Sequence, residues 1–223
     1  MAESREEAAI AAYFNLIRSK GGDDLSISLR LPLLNQLKPL LAGKPCVGSE
    51  YRDRLEYLME HQPAGHWPPY LVIAREFYPF WMGDFKAISL LSSEVGFDLH
   101  PVAWVPPAIT LAALWQSIDQ EKFTTAENWA IKSYITALKA EDASQDLMDV
   151  RLKLAKILVV RMREAPATQK NAYRIVVDAT LPLFELKKTR QLFLVVVREF
   201  YHFWSGNPDA KDHVLKVTKV SIL

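Results

Sequence analysis

An arginine and a glutamate stand side by side in the same aromatic setting twice. Residues 71–84 read LVIAREFYPFWMGD, and residues 194–207 read LVVVREFYHFWSGN. Nine of the fourteen positions are identical, Arg75/Arg198, Glu76/Glu199 and Trp81/Trp204 among them. A cation beside an anion, flanked by Tyr78 in one copy and Tyr201 in the other, could hold a charged ligand or a peptide. It could equally be an internal ion pair. On a helix, residues 194–204 are apolar in almost every direction, the pattern of a buried helix. The polar exceptions are Arg198, Glu199 and His202, which i,i+3 and i,i+4 spacing gathers on one narrow arc. In the first copy Pro79 stands where His202 stands in the second; it removes a backbone donor and predicts a kink.

Two readings follow. In the structural one, each Arg and Glu sits at the edge of a core and pairs with the other, with neighbouring helices, or between copies. Buried charges need partners, because an unpaired one costs several kcal/mol. In the functional one, Arg75, Glu76, Tyr78, Arg198, Glu199, Tyr201 and His202 line a groove between the copies and hold a partner. Trp104, in a Pro-rich stretch, adds an exposed aromatic contact.

Other chemistries find less support. His61, His66, His100, His202 and His213 form no HExxH, and Cys46 is the only cysteine, so no metal site is assigned. There is no GxxxxGK[ST], GxGxxG or GxSxG, so phosphate-cradle and nucleophile-elbow chemistries have no sequence support. No catalytic residue and no cofactor is assigned. Nucleic-acid binding is the alternative. Arg151, Lys153, Lys156, Arg161 and Arg163 lie along one predicted helix, and Lys187, Lys188 and Arg190 open another. The first group spreads over several faces rather than one stripe.

These residues need elements to position them. Weaker matches extend the repeat upstream: Tyr51-Arg52 with Tyr173-Arg174, Arg30-Leu31 with Arg151-Leu152, Tyr13 with Tyr134. The offset drifts from 121 to 123, each step falling between apolar segments, where loops tolerate insertions. The expectation is an all-α tandem duplication of a four-to-five-helix bundle, the copies related by a pseudo-twofold. Repeat A covers 1–95, a Pro-rich linker and connecting helix 96–121, and repeat B 122–223. Ser4 with Glu7 and Thr124 with Glu127 have capping-box spacing. Ser49 predicts the cap of a third helix, and Pro106-Pro107 the start of the connecting helix. Further helices are expected over 125–140, 145–164, 169–181 and 187–205.

Composition bounds the rest. At 223 residues the chain can bury a substantial core, and 24% charged residues is ordinary for a globular protein. A net charge of +1 selects no partner class. Residues 1–111 carry 10 Lys+Arg against 13 Asp+Glu and residues 112–223 carry 17 against 13, a mild asymmetry that suits head-to-tail packing of the halves or a basic contact surface on the second. One cysteine allows no internal disulfide, and no apolar run approaches the roughly 18 residues that span a bilayer. The reading is a non-catalytic cytoplasmic interaction protein that binds a protein partner or a second copy of itself, with nucleic acid as the alternative and no membrane.

Overall fold

A computed structural model of the chain describes residues 4–93, 99–100, 104–167 and 171–214. The protein is all-helical: eleven α-helices and no strand among the described residues. It divides into two compact units, Met1–Ala103 and Trp104–Leu223. The divide lies inside the expected linker, parts of which fall outside the described residues. The apolar tail at 217–223 falls outside them too.

In the first unit, α1 (Arg5–Ser19) starts where the sequence places it. The Ser4 hydroxyl accepts from the Glu7 N–H, and the Glu7 carboxylate accepts from the Ser4 N–H. Ala9, Tyr13, Leu16 and Ile17 recur on its buried face. The next apolar segment is split into α2 (Asp24–Ser28) and α3 (Leu31–Leu41). Pro32 causes the split: it has no N–H to give a continuing helix, but it fits a helical first turn. Helix α3 then runs through Pro39, which sits in its last turn, and buries Leu33, Leu34, Leu37 and Leu41.

Helix α4 (Gly48–Glu60) begins one residue before the expected cap Ser49. Extended Val47 precedes it, and no side chain caps it. Pro68 and Pro69 fit the first turn of α5 (Trp67–Met82), which is a single helix through Pro79. Gly83 ends it at φ 66, a left-handed value that glycine adopts without steric cost. Helix α6 (Phe85–Ser93) buries none of its residues. Helices α1 and α5 pack together, with α3 and α4 alongside.

In the second unit, the helix expected to open at Pro106-Pro107 starts only at Leu111, as α7 (Leu111–Ser117). The Thr110 hydroxyl caps it by accepting from Ala113, a role no proline can fill. Leu114 and Ile118 pack on Ile157, so this connecting helix belongs to the second core. Helix α8 (Thr125–Ala140) carries the second capping box, Thr124 with Glu127. Helix α9 (Gln145–Met162) is continuous where the first unit has α2 and α3; at an offset of 121, Lys153 takes the place of Pro32. Helices α10 (Ala172–Thr180) and α11 (Lys187–Trp204) complete the bundle, and Gly206 at φ 72 ends it. A short 3-10 turn, Ala210–His213, packs back on α11. Phe193, Val196 and Phe200 of α11 are fully buried. Each such side chain stabilises the fold by about 1.5–3 kcal/mol through apolar burial. No helix among the described residues is long and apolar enough to cross a membrane.

Candidate functional site

Arg198 and Glu199 point to different environments. Neighbours on a helix are about 100° apart and do not face each other. Glu199 turns into the core at 2% exposure while Arg198 stays exposed. The single arc expected for Arg198, Glu199 and His202 is therefore split by helix geometry.

Each glutamate pairs instead with an arginine and a tyrosine from other helices of its own unit. Tyr134 of α8 donates to Glu199 at 2.6 Å, and Arg151 of α9 donates to the same oxygen at 2.6 Å. In the first unit Tyr13 of α1 donates to Glu76, and the Arg30 Nη2 lies 3.2 Å from that carboxylate. Burial, and the carboxylate beside each ring, push both phenols well above their ordinary range, so both remain donors.

The triads differ in how the arginine is held. Arg30 sits in the break between α2 and α3 and also donates to the Ser26 and Leu99 carbonyls at 2.8 and 3.0 Å. Arg151 lies within continuous α9, and its buried Nε has no hydrogen-bond partner.

A second layer of tyrosines also corresponds. Tyr51 donates to the Ala74 carbonyl and Tyr173 to the Val197 carbonyl, each at 2.6 Å. Tyr78 meets Tyr51 edge-on at 5.0 Å, and Tyr201 meets Tyr173 edge-on at 5.1 Å. Tyr78 is half-buried, whereas Tyr201 remains 47% exposed. Arg75 is exposed, and Trp104 is half-buried.

Most of the basic residues expected to meet nucleic acid are engaged within the second unit. Arg151, Arg161 and Arg190 are buried and turned away from solvent. Arg163 bonds Glu121 and Glu127 at 2.6 and 2.8 Å. Lys153 lies over the Trp115 ring at 5.7 Å and Lys156 over the Phe123 ring at 5.6 Å. Lys187 and Lys188 are exposed at the start of α11. Phosphate binding needs cations at the surface, and this set offers few of them.

An open apolar surface of the second unit was not among the candidate site residues read from the sequence. A groove of about 570 Å³ runs between the start of α8 and the end of α11, lined by Thr125, Ala126, Trp129, Ala130, Phe203 and Trp204. Trp129 is 58% exposed and Trp204 half-buried. A signal for it was present: at the offset of 121 that aligns Tyr13 with Tyr134, Trp129 stands where the first unit has Ala8.

At the far end of α11, His202 and His213 stack face to face at 3.5 Å, 2° from parallel, and Asn207 bonds the His202 Nδ1 at 3.1 Å. Burial, then His213, hold the His202 imidazole below its ordinary range. Cys46 is half-buried, its thiol set against the Trp81 carbonyl at 3.0 Å. Among the described residues no group of three or more His, Cys, Asp or Glu could hold a metal ion. Comparison with protein-family models, curated proteins and solved structures finds no match to the chain.

Proposed function

We propose that the chain is a non-catalytic cytoplasmic interaction protein, built from a duplicated helical unit, and that its second unit binds a protein partner through the aromatic groove beside Trp129 and Trp204. The observation that carries this reading is the groove itself. A tryptophan 58% exposed at the mouth of an apolar groove of about 570 Å³ leaves costly apolar surface in water. Tryptophan is also among the residues that dominate binding energy at protein interfaces. The duplication is supported by the two Tyr–Arg–Glu triads and the two tyrosine-to-carbonyl bonds, which recur at matching positions. Their burial gives them a role in stability, so binding falls to what differs between the copies.

The test compares retention of proteins from the native cell by wild type and by Trp129→Ser. The reading expects a stoichiometric protein that wild type holds and the variant loses. Retention of nothing, or equal retention by both, overturns it.

A further inference from the structure

The chain shows, in its own first unit, what fits against a tryptophan in this place. Trp81 lies in the last turn of α5, as Trp204 lies in the last turn of α11. Over the Trp81 ring lies the Arg5 guanidinium, 4.9 Å from the ring centroid. Arg5 is held there by Glu6 at 2.9 Å and by the Lys44 carbonyl at 3.1 Å. Beneath it Trp81 is 1% exposed.

The second unit keeps the tryptophan and the glutamate but not the covering arginine. In the register that aligns Tyr13 with Tyr134, Glu6 corresponds to Glu127 and Arg5 to Ala126. Both glutamates are buried. Glu127 takes its cation from elsewhere: Arg163 grips both its carboxylate oxygens, at 2.8 and 2.9 Å. That arginine lies over the Phe123 ring at 5.2 Å, and Trp204 is left to line the open groove.

The charge around the groove favours a cation as its occupant. The indole faces of Trp129 and Trp204 attract cations through their ring quadrupoles. The carboxyl end of α11, an 18-residue helix, adds partial negative charge beside them, reduced because the Tyr201, His202 and Phe203 carbonyls accept from Ser205, Asn207 and Gly206. At the amino end of α8, the positive dipole is already met by Thr124 and Glu127. An anion would find no donor cluster there.

We propose that the groove receives an arginine side chain of the protein partner, its guanidinium seated over Trp204 as Arg5 is seated over Trp81, with apolar neighbours against Trp129 and Phe203. This rests on the reading of the groove as a partner-binding surface, and it specifies the partner's chemistry.

A random-peptide phage library selected on the wild-type chain tests it. Each enriched clone is then rebound to Ala126→Arg, which supplies the missing lid from within, and to Trp129→Ser, which leaves the lid absent but opens one wall. The expected result is one fixed arginine in the enriched peptides and loss of binding to both variants. Exchanging that arginine for citrulline, which keeps the shape and removes the charge, is expected to weaken binding about tenfold. Enriched peptides that are apolar with no fixed arginine, or equal binding after citrulline exchange, overturn the arginine proposal and leave the groove a binding surface. No enrichment above the Ala126→Arg background overturns both.

Discussion

Arg151 and Glu199, 48 residues apart in sequence, meet at 2.6 Å in the interior of the second unit, and both are almost wholly buried. Arg30 and Glu76 meet at 3.2 Å in the first. The conspicuous adjacent pairs, Arg75–Glu76 and Arg198–Glu199, are thus half core and half surface. The glutamate is the shared anchor of its unit's packed helices, and the arginine beside it in sequence lies at an exposed position.

Stability should follow that division. Replacing Arg151 by Met leaves the Glu199 carboxylate buried without its cation and is expected to cost about 3–5 kcal/mol. Arg198→Met, at an exposed position, should stay within about 0.5 kcal/mol of wild type. Urea denaturation of the two variants checks this. Equal losses would mean that Arg198 carries structural weight the geometry does not give it.

The phenols give a finer comparison. Tyr134→Phe removes one buried donor to Glu199 and should cost about 1–3 kcal/mol. Tyr201→Phe alters a ring that is 47% exposed and makes only an edge contact, so its midpoint should stay close to wild type. A Tyr134→Phe protein as stable as wild type would show that water or another donor replaces the phenol.

Arg161 is the opposite case to Arg151. It is buried, its Nε is unpartnered, and its Nη1 reaches the Pro107 carbonyl only at 3.5 Å. Burial pulls its pKa down. A buried cation so weakly compensated is a net cost. Arg161→Met is therefore expected to raise stability, by about 1 kcal/mol or more. Thermal and urea midpoints of this variant measure it, and a fall in both would contradict the assignment.

The His202–His213 stack should respond to acid. The folded state depresses the His202 pKa, so below 6.5 the unfolded chain takes up this proton more readily than the folded one. The stability contributed by the stack is complete above that value and is lost as pH falls through the lowered folded one. Arg198 on the same helix, and Asp209, Lys211 and Asp212 around the turn, are the neighbouring charges in sequence. Protection of the 210–213 amides, taken relative to intrinsic exchange at each pH, is expected to fall on acidification and to lose this dependence in His202→Gln. An unchanged pH profile in that variant would assign the effect to another group.

Helix composition was readable because it depends on local signals. The capping boxes at Ser4 and Thr124, and the stops at Gly83 and Gly206, sit where spacing and glycine place them. Pro32 shows where such reading weakens: one residue splits a segment that runs unbroken in α9, and the apolar periodicity is the same in both. The pairing of Glu199 was out of reach for a different reason. Tyr134 and Arg151 match Tyr13 and Arg30 in the sequence, but their convergence on one carboxylate depends on how three helices pack. The groove was legible only as a mismatch, Trp129 against Ala8 and Ala126 against Arg5, and a search for shared residues passes over mismatches.

The indole N–H resonances of Trp129 and Trp204, followed while an arginine peptide selected on the chain is added, test the central claim most directly. Both should shift together and saturate, the indoles of Trp67 and Trp81 should stay in place, and Ala126→Arg should show Trp204 already displaced and unresponsive. Shifts at Trp81 with Trp204 unmoved, or an unaltered response in Ala126→Arg, would contradict a partner seated in this groove.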